Sequence, residues 1–266
     1  MAEPEKLQTV PYRGGGFEPS SNRVFSIVIF VFILLSWEGC SQAGIVSELF
    51  LPSPSSAAIA LVELYNSGNL AKHVSISLQR LSIGWSLGLL CGITIGFAAG
   101  LFSLARAGVV PLVSAVFPIP KIALLPLFII WFGIGEESKV ATIFFGTFFP
   151  TVISTFGGVD SVDRGLIRMG QSFNMKWSSI VLKIILPGAM PTILSGMRIS
   201  AAIAIILLVA AEMIGAEFGI GAYVLLAGNL MATDQLIAGV SMLSILGLIL
   251  AWLIGRAEKV LLRWRG

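Results

Sequence analysis

The chain has 266 residues, of which 56% are hydrophobic and only 12% are charged, and its net charge is +3. Soluble domains are typically about 25% charged and about 45–50% apolar, so this composition excludes an ordinary water-soluble fold and predicts a helical protein that crosses a membrane several times. The cations flank apolar runs instead of forming one basic face, which argues against nucleic acid as a partner.

Residues 1–22 are polar and rich in Pro and Gly, which predicts a disordered cytoplasmic tail. An apolar run follows at residues 24–37. Its length also suits a signal-peptide core, and Cys40 allows a lipoprotein interpretation. The residues Trp37-Glu38-Gly39 do not suit lipoprotein cleavage and a long polar leader precedes the run, so we favour an uncleaved first transmembrane helix.

A short amphipathic helix is predicted next, lying on the membrane surface. Ser53 suits its N-cap, Pro54 suits its first position, and Gly68 is placed to end it. His73 follows, and we expect it to be a solvated loop residue. No second His or Cys stands at ligand spacing, so we predict no metal site, and the two cysteines are too few for a disulfide framework.

Five further stretches are predicted to span the membrane. The first of these carries no charge over 25 residues, and at 1.5 Å per residue it exceeds the roughly 30 Å of hydrocarbon. The next carries several prolines and one cation, Lys121. The predicted spans after the first are residues 81–105, 109–132, 140–158, 191–216 and 235–255.

The distribution of Lys and Arg predicts the orientation, because short cytoplasmic loops carry the excess of these residues. With the N-terminus in the cytoplasm, 13 of the 17 Lys and Arg residues lie on the cytoplasmic side. Six spans with both termini in the cytoplasm therefore satisfy the rule. The four remaining cations are Lys72, Arg80, Lys121 and Lys139.

The connection between the fourth and fifth spans, residues 160–186, is too polar to span a membrane and too apolar to be disordered. Two short helices are predicted here. Acidic and hydroxyl residues at 160–163 suit the start of the first helix. Leu166, Met169 and Phe173 form an apolar stripe along it, and a stripe on a solvated helix indicates a binding partner.

Asn174 follows the first of these helices and is expected to adopt a left-handed cap conformation, which Asn tolerates better than most residues. The second helix is predicted over residues 176–185. Leu186-Pro187 is expected to end it, because proline lacks the N–H group that continues a helix.

The segment of residues 166–196 resembles the coupling-loop motif of binding-protein-dependent ABC importer permeases, and the resemblance covers nearly all of the chain beyond the tail. Within that family the chain is similar to the branch that moves nitrate, sulfonates, taurine, bicarbonate and related compounds. The other matching stretches are Phe50-Leu51-Pro52-Ser53-Pro54-Ser55, Ser77-Leu78-Gln79-Arg80 with Gly84, Pro118-Ile119-Pro120 through Pro126-Leu127 to Trp131-Phe132-Gly133-Ile134-Gly135-Glu136, Leu186-Pro187 with Pro191, Gly196-Met197-Arg198, and Ala211-Glu212-Met213 with Gly215-Ala216 and Gly219.

The resemblance implies an all-α, polytopic, MetI-like fold of type I importers over residues 23–266, in a bacterial inner membrane. The chain would be the permease subunit that forms the translocation pathway for a small anionic solute. Its implied partners are a dimer of cytosolic ABC ATPases that binds ATP and Mg²⁺, a periplasmic substrate-binding protein, and a second permease subunit in a homodimer. The sequence lacks a Gly-x-x-x-x-Gly-Lys-Ser/Thr motif, so we predict that this chain binds no cofactor and is not an enzyme.

Two sets of site residues follow from the resemblance. The set expected to couple to the ATPase is Arg168, Met169, Gly170, Phe173, Asn174, Met175, Lys176, Trp177, Leu186 and Pro187. The set expected to line or gate the pathway is Pro118, Pro120, Lys121, Pro126, Trp131, Glu212 and Met213.

The coupling motif departs from the family pattern at three positions. The family has Glu, Ala and Gly where this chain has Arg168, Gly170 and Asn174. The change to Asn is mild, because Gly and Asn both tolerate a positive φ. Arg168 is not a mild change, because it inverts a charge at the expected ATPase contact.

The third span is expected to line the pathway, because each proline frees backbone carbonyls that lipid cannot satisfy. The alternative is that the prolines only bend a helix to fit its neighbours. Lys121 would either attract an anionic substrate or pair with a neighbouring carboxylate. Glu212 is placed in the outer part of the bilayer, where it would either gate the periplasmic exit or cap the region of Gly215.

An ion-coupled secondary transporter or a channel is the alternative class of function. Such transporters are typically built from inverted repeats, and none is convincing across these six spans. A membrane enzyme is disfavoured because no catalytic set of side chains clusters at one predicted depth.

Overall fold

The computed structural model describes residues 23–265, so the predicted disordered tail lies outside the described residues. The secondary structure of this part is helical, as predicted. Short 3₁₀ segments at Lys121–Leu124 and Arg263–Arg265 and a π turn at Val181–Ile185 accompany the α-helices. The helices are α1 (Arg23–Gln42), α2 (Pro54–Asn66), α3 (Asn69–Leu101), α4 (Ser103–Val116), α5 (Leu125–Phe132), α6 (Glu136–Asp160), α7 (Arg164–Ser172), α8 (Trp177–Ile180), α9 (Leu186–Glu212), α10 (Ile220–Asn229) and α11 (Thr233–Leu261).

α1 and the turn that follows it belong to a compact unit that ends at Ser56. α1 is long and apolar enough to cross a membrane. Its C-terminal end is tied to the turn, because the Glu38 carboxylate accepts the N–H of Ser55 at 3.0 Å. Ser53 Oγ accepts the N–H of Ser56 at 3.1 Å, which confirms the predicted N-cap of α2.

In the second compact unit, α3 and α6 pack side by side along a ladder of small residues. A Cβ added to Gly92 would lie 2.7 Å from Thr151 Cβ, so only Gly allows the two helices to approach this closely. The positions in contact rise together along both helices, which means that α3 and α6 run parallel. The ladder pairs are Gly84 with Ile143, Gly88 with Thr147, Gly92 with Thr151, Gly96 with Thr155 and Gly100 with Val159.

α9 also packs on α6, antiparallel to it. Gly146 near the start of α6 faces Leu207, and Gly158 near its end faces the carbonyl of Ala189. The starts of α3 and α6 therefore lie at the same end of the bundle as the C-terminus of α9, which we call the Glu212 end. The C-termini of α3 and α6 lie at the opposite end beside α7, which we call the α7 end.

The third span, predicted at residues 109–132 with prolines that disturb the helix, is broken. α4 and the segment Lys121–Phe132 together are long and apolar enough to span, but they are bent by 89°. Pro118 and Pro120 lack the N–H groups that would continue α4, so it ends at Val116. The bent pair still carries the chain across, because α3 ends at the α7 end and α6 begins at the Glu212 end. Counting it as one, the described residues contain six candidate spans, as predicted.

The second helix of the loop does not end at Leu186-Pro187, which corrects the prediction. The chain remains helical from Trp177 to Glu212, through α8, the π turn and α9. The wider π turn at Val181–Ile185 directly precedes the proline, where one N–H of the helical ladder is missing. Pro187 follows the π turn within this continuous helix, and the turn accommodates the N–H that proline lacks.

The fifth span ends at Glu212, four residues before its predicted end, and a helix that was not predicted follows it. α10 is apolar but has only 10 residues, which at 1.5 Å per residue is too short to cross a membrane. It packs against α11 at the Glu212 end, where Gly239 contacts the ring of Tyr223. α11 then returns to the α7 end, where Glu258 pairs with Arg198 at 2.7 Å.

Candidate functional site

The break in the third span is capped by the ammonium group of Lys121. Its Nζ donates hydrogen bonds to the carbonyl oxygens of Val116 at 3.0 Å, Phe117 at 2.5 Å and Ile119 at 2.7 Å. These three bonds match the three donors of a lysine. They fall on carbonyls at the break, of which that of Val116 also accepts the N–H of Ile119 at 3.2 Å. The ion pairs found within residues 23–265 do not include Lys121, so in this part of the chain its ammonium group is engaged with backbone carbonyls and not with a carboxylate.

The other candidate pathway residues of this span lie along the bend. Pro118 and Pro120 stand in the bend itself, and Pro126 stands in the first turn of α5. Phe128 anchors α5 to α6 through an edge contact with Phe145, whose ring centre is 5.6 Å away. On the uncovered side of α5, Trp131 is 62% exposed. The bent segment thus presents one face to α6 and leaves an aromatic face that no residue in the described part of the chain covers.

Glu212 is completely buried and belongs to a cluster of charged and polar groups that we call the Arg80 cluster, formed by Ser77, Arg80, Glu136 and Glu212. Glu212 Oε1 accepts hydrogen bonds from Ser77 Oγ at 2.7 Å and from Arg80 Nη1 at 2.8 Å. Arg80 also holds Glu136 in a two-bond contact, with Nε to Oε2 at 2.5 Å and Nη2 to Oε1 at 2.6 Å. The cluster joins α3, α6 and α9 at the Glu212 end.

The segment of residues 213–221 is fastened to α3 through this cluster. Arg80 Nη1 donates to the carbonyl of Phe218 at 2.7 Å, and the N–H of Gly221 donates to Glu212 Oε2 at 2.8 Å. Gly219 has a φ of +142°, and a Cβ there would lie 2.5 Å from Glu212 Cδ, so the position requires glycine. Glu212 therefore caps this segment, which includes the Gly215 region named in the prediction.

His73 is not a solvated loop residue, which corrects another prediction. It lies inside α3, is only 9% exposed, and places Nδ1 within 2.8 Å of the Gly219 carbonyl oxygen and 3.1 Å of the Gly219 nitrogen. Phe218 and Tyr223 flank its ring at 5.6 and 5.5 Å. It lines a cavity of about 240 Å³, whose wall also includes the predicted gating residue Met213.

The pairing of Arg80 with Glu136 was not predicted, although both residues stand in stretches that carry the family resemblance. A signal was present: an ionisable residue inside a span normally has a partner of opposite charge. Arg80 and Lys139 are two of the four cations predicted to lie on the non-cytoplasmic side. They stand in α3 and α6, the helices that the Arg80 cluster joins to the end of α9. Lys139 instead donates to the carbonyl of Gly135 at 2.9 Å and is almost fully buried.

At the α7 end, α7 presents the apolar stripe that the sequence predicts. Asp163 caps the helix, its carboxylate accepting the N–H of Gly165 at 2.7 Å. Leu166, Met169 and Phe173 are 46%, 50% and 76% exposed. Among residues 23–265, such a stripe on a polar helix is an uncovered apolar face.

The turn between α7 and α8, residues 173–176, contains four of the candidate coupling residues. Asn174 adopts a φ of +54°, which confirms the predicted left-handed cap. The N–H of Met175 donates to the carbonyl of Gly170 at 3.0 Å, which closes the turn. A Cβ on Gly170 would lie 3.0 Å from Ile184 Cδ1, so the family's alanine would fit here only if Ile184 shifted slightly.

The remaining candidate coupling residues divide by exposure. Arg168 and Lys176 are exposed, whereas Leu186 and Pro187 are half-buried and form part of the continuous helix. Trp177 is 59% exposed and packs on Phe102, with ring centres 5.9 Å apart. The exposed α7 stripe and the cations beside it are thus the part of this set that a second protein could reach.

Six apolar spans, one of them broken, and an exposed amphipathic helix at one end define a polytopic membrane transport component. The chain belongs to the family of binding-protein-dependent transport system inner membrane components, whose sequence profile matches residues 88–263. The matched region includes the broken span, the α7 stripe and Glu212. The membrane location of this family and the apolar helices agree with the predicted inner-membrane location.

Two relatives resemble most of the chain. It is 35% identical to the putative aliphatic sulfonates transport permease protein SsuC of Bacillus subtilis, over 88% of this chain and 84% of that relative. It is also 35% identical to the taurine transport system permease protein TauC of Escherichia coli, over 93% of this chain and 92% of that relative. The predicted role as the permease component of an ABC importer is thereby confirmed.

A solved structure supports the fold. The inward-facing MetNI methionine ABC transporter contains a chain that superposes with a TM-score of 0.61, covering 72% of this chain and 95% of that chain at 20% sequence identity. The predicted MetI-like fold is therefore confirmed.

Proposed function

We propose that this permease imports small sulfonate-type anions, such as taurine or alkanesulfonates, as one half of a homodimeric pathway. The observation that carries the proposal is the 35% identity over most of the chain to permeases named for aliphatic sulfonates and for taurine. Nitrate and bicarbonate are the other anions that the sequence pattern suggests, and they become outcomes of the test.

The coupling to ATP is proposed to pass through α7. Its exposed apolar stripe, flanked by Arg168 and Lys176, would dock on a separate ATPase subunit that binds ATP and Mg²⁺. Closure of two ATPase subunits would push on α7, and the rigid helices would rock to expose the pathway to the other side. Because Arg168 is positively charged where the family has a glutamate, the ATPase would carry an acidic side chain at the position that contacts it.

The orientation is proposed with the α7 end in the cytoplasm and both termini on that side. The excess of Lys and Arg at the α7 end supports this placement. The Glu212 end then faces the periplasm, where a soluble binding protein would deliver the substrate.

The pathway is proposed to run beside the broken third span, because broken helices are tolerated at membrane depth where they line a cavity or contact protein. Trp131 and Met213 would lie along it, with the bend around Pro118, Pro120 and Pro126 shaping its wall. The hydrogen bonds of Lys121 support a positioning role for its ammonium group more than direct contact with substrate. The contacts of Glu212 likewise support the capping alternative over a moving gate.

The substrate proposal is tested by uptake in proteoliposomes that contain this permease, the ATPase that co-purifies with it, and the binding protein. Radiolabelled taurine should accumulate with ATP inside, and an excess of unlabelled alkanesulfonate should compete. An excess of nitrate or bicarbonate should not compete. Competition by nitrate or bicarbonate but not by alkanesulfonate would reject the sulfonate assignment while leaving the permease role in place.

A further inference from the structure

The guanidinium of Arg80 connects three segments at the Glu212 end. It donates two hydrogen bonds to Glu136 at the start of α6, one to Glu212 at the end of α9, and one to the carbonyl of Phe218. Four of its five N–H donors are therefore committed to named acceptors. The planar fork of an arginine fixes both the distance and the angle between the groups it joins, which a lysine does not.

The two carboxylates on Arg80 differ sharply in their exposure. The Glu212 side chain has no exposed surface, whereas the Glu136 side chain is 60% exposed. A buried carboxylate that loses its cation is left uncompensated, so the Glu212 contact must persist whenever the protein is folded. An ion pair with one exposed partner is weakened by water and salt, so the Glu136 contact can open and close without unfolding the bundle.

The segments held by the two contacts touch each other directly. Glu136 follows the turn at residues 133–135, which connects α5 of the broken span to α6. A Cβ on Gly215 would lie 2.9 Å from Ile134 Cγ2, so this turn packs against the 213–221 segment. The 213–221 segment is fastened to α3 by His73, and its Ile220 N–H donates to Ser77 Oγ at 2.8 Å.

We propose that Arg80 is a positioning residue of the transport cycle. It holds the turn at residues 133–135 against the 213–221 segment through a contact with Glu136 that can open and close. Its contact with Glu212 keeps Arg80 itself in place. Opening of the Glu136 contact separates the turn, and with it the outer end of the broken span, from the body formed by α3, α9 and α10. This inference rests on the proposed function, because the broken span is the pathway wall that would move.

The test measures the distance between spin labels at two exposed positions, Ile130 in α5 and Glu217, in the reconstituted transporter, with the native cysteines replaced by serine. In the labelled parent a short distance should dominate. Glu136→Gln should increase the separated population at least about threefold, since the charge on one side of the pair is lost. Glu136→Asp, which keeps the carboxylate, should restore most of the short distance.

Two further variants separate positioning from general stability. Glu212→Gln should lower the thermal unfolding temperature and the yield, whereas Glu136→Gln should leave both near those of the parent. Asp160→Asn removes a comparable partly exposed pair with Arg106 at the α7 end and should leave the distance distribution unchanged.

The proposal is overturned if Glu136→Gln leaves the distance distribution unchanged, if it destabilises the protein as much as Glu212→Gln does, or if Asp160→Asn separates the labels equally. Because the distances are measured without substrate, these outcomes do not depend on the transport assay. Absence of ATP-driven uptake by the parent, with the distances as expected, would reject the proposed function and the role of Arg80 in a transport cycle, but not the releasable contact between Arg80 and Glu136.

Discussion

At the scale of single residues, the partners of buried charged groups are the feature that sequence patterns predict least well. Lys121 and Glu212 were both identified as ionisable residues inside spans, but their partners lie far away in sequence or on the backbone. Glu212 meets Arg80, 132 residues earlier in the chain. The position of one residue in the sequence cannot reveal such a pair, because the contact depends on which helices pack together and in which direction.

Lys121 provides a prediction at this scale. Lys121→Met removes three hydrogen bonds to carbonyls at the break, and a typical intramolecular hydrogen bond contributes about 0.5–1.5 kcal/mol. We therefore expect a lower unfolding temperature in detergent, together with a proportional loss of transport. Lys121→Arg keeps the charge and several donors, so its unfolding temperature should stay closer to that of the parent.

One result would contradict the capping role of Lys121. If Lys121→Met leaves the unfolding temperature unchanged but raises the KM for uptake at least about tenfold, the ammonium group contacts the anion, and the capping role is wrong.

At the scale of elements, the sequence predicted the spans, the N-cap at Ser53 and the left-handed Asn174, because these depend on local composition and on backbone preferences. The errors arose where tertiary packing decided the outcome. His73 is buried because α3 begins earlier than its apolar run and packs against the 213–221 segment. The helix continues past Pro187 because a π turn accommodates the missing N–H, and α10 was missed because it is too short to span.

The glycine ladder between α3 and α6 provides a prediction for this pair of helices. Gly92→Ala places a Cβ 2.7 Å from Thr151 Cβ and 3.0 Å from a backbone oxygen, so the helices must separate. Overpacking of this kind costs about 1–3 kcal/mol. The unfolding temperature measured by intrinsic fluorescence or by a thiol-reactive dye should fall.

Gly157→Ala on α6 is the matched control, because a Cβ there meets nothing within 4 Å. Alanine is favoured over glycine in a helix by about 0.5–1 kcal/mol, so this variant should be neutral or slightly more stable. Equal unfolding temperatures for the Gly92 and Gly157 variants would show that the ladder does not set the distance between the helices.

α7 provides a second prediction at this scale. Phe173→Ala removes the most exposed side chain of the stripe, and loss of an aromatic anchor at an interface typically weakens binding at least tenfold. The ATPase subunit should therefore dissociate more readily from the variant in a pull-down titration. The control is Val260→Ala, because Val260 is similarly exposed, lies at the same end, and is outside the stripe. Equal retention of the ATPase by both variants would place the docking surface elsewhere.

At the scale of the whole molecule, family membership, the helical fold and the permease role could all be obtained from sequence, because they depend on motifs spread over nearly the whole chain. The substrate could not, because in this chain no described cluster of side chains forms an enclosed anion site. The buried charges of the Arg80 cluster, Arg80 and Glu212, are engaged with protein groups. Selectivity is therefore expected to depend mainly on the soluble binding protein and on the assembled pathway.

The most direct test of the central claim is substrate uptake by proteoliposomes containing this permease, with and without its ATPase subunit. The account predicts that labelled taurine accumulates only when the ATPase, the binding protein and internal ATP are all present, and that the purified permease alone hydrolyses no ATP. Accumulation by the permease alone, driven by a proton or sodium gradient and unaffected by ATP, would contradict the account and identify an ion-coupled transporter.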